Sequence, residues 1–321
     1  MGQTLLQVRG LTTVFDGPAG PVTAVDGVDL AVDRGGVRAV VGESGCGKTV
    51  LSLSMLGLVT PPGRVAAGQA LLSGTDILAL PESERRTIRG RRASMIFQEP
   101  MTALNPVLTI GDQVAEPLRV HAGASHREAL TAAEAMLARV GLPDPRRRML
   151  GYPHELSGGQ RQRVMIAMAL MLSPELLIAD EPTTALDVTV QGQILTLMLD
   201  LAREAGTAIL LVTHNLGVVA QTADAVTVMY SGRVVENAPV LDFFQGPAHP
   251  YSQGLLASLP RVADPGRRLT PIPGTVPSLS ALPTGCHFHP RCPRVFEPCS
   301  RQIPPLFTLP DGRQARCWLH A

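Results

Sequence analysis

Lysine is nearly absent from this chain. Lysine and arginine together number 28, yet reading along the 321 residues finds a single lysine, Lys48. Where arginine serves at every other basic position, the one retained lysine marks a tight site that takes a compact point charge and has no room for a planar fork. Aromatic residues make up only 3%, which argues against a base-stacking surface. Net charge is +1, which gives no electrostatic footprint for nucleic acid. The N-terminal "MGQTLLQVRGL" alternates like a strand and lacks the basic and apolar regions of a secretory signal. The most apolar run, "VMIAMALML" (164–172), is too short to span a bilayer. A soluble, intracellular protein is the expectation. Cysteine is also scarce: Cys46 stands alone, and the other four, Cys286, Cys292, Cys299 and Cys317, crowd the C-terminal end.

What is present supports a sizeable core. Hydrophobic residues make up 45%, and 321 residues exceed one typical domain. No internal repeats are visible. The arginine triplet 146–148 reads as a solvated face.

Lys48 sits in "GESGCGKT", residues 42–49. This is the G-x-x-x-x-G-K-[ST] phosphate loop. "VRAVVG" before it reads as a buried strand, and "KTVLSLSMLGLV" after it as a helix. Backbone N–H groups of Gly42, Glu43, Ser44, Gly45, Cys46, Gly47, Lys48, Thr49 and Val50 would wrap the phosphates at the helix N-terminus. Lys48 would reach the β- and γ-phosphates, and the Thr49 hydroxyl would bind Mg²⁺. Cys46 reads as a small filler, with a redox-sensitive thiol as the minority alternative. Further on, "ELLIADEP" (175–182) is an apolar strand ending in two acids. Asp180 is placed to hold Mg²⁺, and Glu181 to polarise an attacking water.

"LSGGQRQR" (156–163) lies some twenty residues before the "DEP" that ends this stretch. With it, the chain resembles the nucleotide-binding subunits of ABC transporters, whose signature is LSGGQ. The resemblance implies roles for further residues. Gln98 in "IFQEP" matches the Q-loop glutamine, which also contacts Mg²⁺. Asp187 in "TALD" matches the D-loop, with threonine where serine is more usual. His214 in "LLVTHN" matches the switch histidine, and Phe15 in "TTVF" the aromatic that stacks on adenine. Ser157, Gly158, Gly159 and Gln160 would close over the ATP held by a partner's phosphate loop, so that two ATP molecules glue two subunits together. "QEPMTALNPVLTIGDQV", "YPHELSGGQRQRVMIAMAL" and "GPAHPYSQGLLASLP" narrow the resemblance to the oligopeptide/dipeptide importer branch, and "IADEPTTALDVTVQ" to its D-type ATPase.

The resemblance implies an α/β P-loop fold of the ABC-ATPase type, with an antiparallel β subdomain and a helical subdomain at about 99–165. The nucleotide-binding domain would cover 1–245, and an importer-type extension 246–321. The latter has a proline-rich arm, six prolines falling between 260 and 283, and the cysteine segment. The implied partners are a second ATPase subunit, two membrane permeases and, through them, an extracytoplasmic binding protein; the second ATPase is an F-type paralogue, the commoner arrangement in the family, or another copy of this chain. The implied location is the cytoplasmic face of the cell membrane. A non-transport ABC ATPase and a hydrolysis-dead regulatory module are the competing classes. The cargo default is peptide; relatives move nickel, glutathione or oligosaccharides.

The four terminal cysteines are spaced x5, x6 and x17, without the C-x₂₋₄-C pairs usual for structural zinc. Thiolates on a loop-rich segment suit an Fe–S cluster as well as zinc. Some importer ATPases bind a cluster in the segment that this one resembles. The expectation is a [4Fe–4S] cluster on Cys286, Cys292, Cys299 and Cys317, stapling an arm too poor in apolar sequence to build its own core. Zinc, with His287, His289 or His320 replacing a thiolate, and free thiols are the alternatives.

Overall fold

The computed structural model describes residues 3–18, 20–98, 103–183, 187–259 and 271–321. Strands in chain order are β1 (Thr4–Gly17), β2 (Gly20–Asp33), β3 (Val37–Val41), β4 (Gly63–Leu72), β5 (Thr75–Asp76), β6 (Ala93–Ile96), β7 (Leu176–Asp180), β8 (Ala208–Val212), β9 (Ala225–Tyr230), β10 (Arg233–Pro239), β11 (Phe307–Thr308) and β12 (Gln314–Ala315). The helices of eight residues or more are α1 (Lys48–Met55), α2 (Ile110–Ala122), α3 (His126–Arg139), α4 (Gly158–Leu170), α5 (Val188–Glu204) and α6 (Pro250–Ala257). No described helix is long and apolar enough to cross a membrane. The chain forms two compact units. One holds residues 1–6, 32–36 and 72–212; the other holds 7–31, 37–71 and 213–321.

In the first unit β6, β7 and β8 pair in parallel, with Ala93 opposite Leu176 and Asp180 opposite Val212. Every residue of β7 and β8 is buried. That explains why "LLIAD" and "AILLV" read as continuous apolar runs and not as alternating ones. The helices of this unit start on designed caps. Thr109 accepts a hydrogen bond from Asp112 N–H at the head of α2. Ser125 and Glu128 form a reciprocal capping box on α3.

In the second unit most of β1, β2 and β4 form a sheet in the order β2-β1-β4. A separate ladder runs β3-β9-β10-β12-β11. The β3–β9 pair is parallel, and β9 and β10 form an antiparallel hairpin, with a register shift between Val234 and Glu236. The described part of the proline-rich arm, 271–283, has no helix or strand.

The core of the second unit takes in the cysteine segment. Phe288 is 2% exposed and packs with Tyr230, Tyr251, Phe243, Val41 and Val228. Its ring lies 5.3 Å edge-on from Tyr230, 5.3 Å from Tyr251 and 5.8 Å from His249. The segment is therefore anchored by sharing a core built upstream. Removing the ring by Phe288→Ala is expected to destabilise the protein by about 3–5 kcal/mol. A urea melt followed by circular dichroism checks this; an unchanged midpoint would mean that the aromatic cluster does not anchor the segment.

Candidate nucleotide-binding site

The loop between β3 and α1 is shaped by close backbone approaches. A Cβ added at Gly42 would collide with the Met229 carbonyl oxygen, and one at Gly47 with the Ala24 carbonyl oxygen. Gly47, at φ 101°, is also in the left-handed region that glycine tolerates. It caps α1 without a side-chain bond, and no acid occupies the first turn. The N–H groups at the start of α1 thus lack a side-chain cap, as an anion site requires. Lys48 is 5% exposed, and its Nζ donates to the carbonyls of Gly42 (2.9 Å) and Glu43 (3.1 Å). Thr49 and Val50 are half-buried beside it, while Ser44 and Gly45 are exposed. Cys46 is fully buried, and burial pushes its thiol pKa up. That favours the filler reading over a reactive thiolate.

Two residues that motif reading missed also hold this loop. The Glu43 N–H donates to the Tyr251 hydroxyl at 2.9 Å. The Glu43 carboxylate accepts both arms of Arg291, at 2.7 and 3.0 Å. No local pattern flags either partner, because they lie 208 and 248 positions downstream. Also in this unit, the half-buried Phe15 ring lies against Gly63, where an added Cβ would come 2.5 Å from Cε1. His214 is exposed, two residues past β8.

In the first unit Asp180 ends β7 and is fully buried. Glu181 follows with φ 45°, an unusual backbone for a non-glycine residue, while its N–H donates to the Val212 carbonyl at 2.8 Å. Gln98 is exposed, and its Nε2 donates to Glu181 Oε2 at 3.4 Å. Ser157 caps α4. Its hydroxyl accepts from Gln160 N–H at 3.3 Å, and its own N–H donates to Gln160 Oε1 at 3.1 Å. With Ser157 so engaged, the Gly158 and Gly159 N–H groups are the donors left at the helix start. Asp187 is exposed at the head of α5. The rest of the D-loop, 184–186, lies outside the described residues, as does the segment 99–102 after the Q-loop.

The comparisons with known proteins decide the family. Residues 25–184 match the model of the ABC transporter family, and residues 235–299 that of the oligopeptide/dipeptide transporter C-terminal region. The oligopeptide transport ATP-binding protein AppD of Bacillus subtilis is 50% identical over 99% of this chain and 97% of its own length. The chain belongs to the ATP-binding subunits of the oligopeptide/dipeptide ABC transporter family. The same protein type from Salmonella typhimurium, OppD, is 49% identical over 98% of this chain and 93% of its own. A solved dimeric ATP-binding cassette, bound to ADP and phosphate, matches with a TM-score of 0.65 at 28% identity, covering 74% of this chain and 99% of that one. This ABC-family chain therefore has the ATP-binding cassette fold and is an ATPase.

The cysteine expectation is corrected. Among the described residues, no group of three or more His, Cys, Asp or Glu side chains is arranged to hold a metal ion. The [4Fe–4S] cluster expected on Cys286, Cys292, Cys299 and Cys317 is not supported, and zinc falls with it. The four thiols line one cavity with His249 and Phe288. Burial pushes the pKa of Cys286 and Cys292 up, and that of Cys317 up to about 11, so without a metal they rest as neutral thiols. The histidines offered as substitutes face backbone carbonyls: His287 that of Ser231, His289 that of Cys286, and His320 that of Ala248. The staple argument assumed that the segment lacked a core; Phe288 supplies a place in one.

Proposed function

We propose that this ABC-family chain is the ATP-hydrolysing subunit that powers import of di- and oligopeptides. The observation that carries this reading is the match of residues 235–299 to the oligopeptide/dipeptide transporter C-terminal region, downstream of the ATP-binding cassette. The near full-length likeness to AppD and OppD supports it. The family division at 245/246 goes with this reading, 1–245 serving nucleotide binding and 246–321 forming the importer-type extension. So do the helical subdomain at about 99–165 and the location on the cytoplasmic face of the membrane.

The residue roles proposed with this reading are those that the family resemblance implies and that the chemistry of each position supports. Residues 42–50 cradle the phosphates through backbone N–H groups, and Lys48 supplies a compact cation to the β- and γ-phosphates. Thr49 offers a hydroxyl to Mg²⁺. The resemblance assigns Mg²⁺ contacts also to the buried Asp180 carboxylate and to the Gln98 amide oxygen. These donors are the hard oxygens that Mg²⁺ prefers. When bound, Mg²⁺ neutralises phosphate charge. Glu181 takes a proton from the attacking water, and Gln98, hydrogen-bonded to that carboxylate, orients it. His214 is assigned to the developing γ-phosphate charge, and Phe15 to adenine. Ser157, Gly158, Gly159 and Gln160 present a helix N-terminus to the ATP of a second ATPase subunit, with Asp187 at the D-loop of that contact.

The permease partners are supported by apolar side chains left exposed in the first unit, Val107 at 76% and Leu150 at 73%, with Leu108 and Tyr152 also exposed. Purifying the chain from its native membrane should bring down an F-type ATPase and two multispanning proteins. ATP hydrolysis by that assembly should rise when an extracytoplasmic binding protein loaded with peptide is added. Stimulation by a nickel-, glutathione- or oligosaccharide-loaded binding protein alone would replace the cargo. Purification without membrane partners would overturn the transport reading.

A further inference from the structure

The cysteine segment reaches the phosphate loop through one side chain. Arg291 is 7% exposed, and its two arms grip both oxygens of Glu43 at 2.7 and 3.0 Å. Its orientation is fixed independently. Nε donates to the Pro273 carbonyl at 2.9 Å, one arm donates to the Tyr230 hydroxyl at 3.3 Å, and the guanidinium lies 5.8 Å from the Tyr230 ring centroid. The neighbouring Phe288 is locked in the aromatic core. The guanidinium is thus presented on a rigid support and is not a loose surface partner.

Glu43 is the second residue of the loop, and its carbonyl is one of the two that accept from Lys48 Nζ. Without Arg291, a carboxylate would face the loop that must receive the phosphates, and like charges at short range repel. The carboxylate's freed rotation would also loosen the backbone that Tyr251 and Lys48 hold. A bidentate guanidinium answers both needs, cancelling the charge and fixing the geometry.

We infer that Arg291 is a positioning residue for ATP binding: from the C-terminal segment it neutralises Glu43 and holds the phosphate loop in its receptive shape. The arm following residue 245 is then part of the nucleotide site's support, and events that displace Arg291 lower the affinity for ATP. This rests on the reading of residues 42–50 as the phosphate loop, for which Lys48→Ala is the control.

The test is the affinity of the full-length chain for a fluorescent ATP analogue with Mg²⁺. Arg291→Ala is expected to weaken binding by about 10- to 100-fold, the range of a lost charge-assisted contact. Glu43→Gln placed in the Arg291→Ala background is expected to recover most of that loss, because the charge that needed cancelling is gone. Arg291→Lys should fall between, keeping the charge without the fork. Unchanged affinity in Arg291→Ala would overturn the proposal. So would a loss that Glu43→Gln does not relieve, since that would make Arg291 a general support of the segment. Normal binding by Lys48→Ala would remove the phosphate-loop reading itself and the proposal with it.

Discussion

Lys48→Ala is expected to abolish tight ATP binding. The Nζ donates to two loop carbonyls at 2.9 and 3.1 Å in a position that is 5% exposed. A charge-assisted hydrogen bond contributes roughly 1.5–3 kcal/mol, and one amine here serves both the loop and the phosphates. Loss of about 10- to 150-fold in affinity per contact follows, measured by equilibrium binding of a labelled nucleotide. Lys48→Arg should also fail. The guanidinium is planar and wider than an ammonium, and the loop is packed so closely that a Cβ at Gly42 or Gly47 would meet backbone oxygen. Normal hydrolysis by the arginine variant would mean that the chain's one lysine is not retained for its compactness.

Glu181→Gln should leave ATP binding intact and cut turnover by about 10²–10⁴, the range supplied by a positioned general base. The amide is nearly isosteric with the carboxylate, so the 3.4 Å contact with Gln98 and the backbone bond to Val212 need not change. What disappears is the acceptor for the water's proton. With chemistry blocked and binding kept, the ATP-bound pair of subunits should accumulate, visible as a nucleotide-dependent dimer in sizing experiments with the partner ATPase. Turnover at the normal rate would move the base elsewhere, with His214 the first candidate.

The residues that were easiest to read are those whose chemistry is contiguous in the chain. "GESGCGKT" carries its own context, a five-residue strand before it that is buried from Ala39 to Val41 and a helix beginning on Lys48. "LLIAD" identifies a buried parallel strand because every side chain along it is apolar up to the acid that ends it. Ser157 and Gln160 announce the head of α4 because a capping box is a local pattern. The supports of the loop were invisible for the opposite reason. Tyr251, Phe288 and Arg291 come from separate stretches and acquire meaning only when the chain brings them to Tyr230 and Glu43. The cysteines misled because spacing alone does not report burial. A crowd of thiols reads as a ligand set until the aromatic core around Phe288 is known, and burial keeps Cys286, Cys292 and Cys317 toward their neutral forms.

The seclusion of Lys48 has a consequence for handling the protein. A protease that cleaves only after lysine has a single target bond, between Lys48 and Thr49, in the opening turn of α1. Helical backbone whose side chain is buried does not fit a protease cleft, so the cut needs local opening of the loop. Each cleavage event therefore counts an opening of one defined place, with no background from other sites. The appearance of two fragments, slowed by ATP, becomes a direct clock for how often the phosphate cradle comes apart.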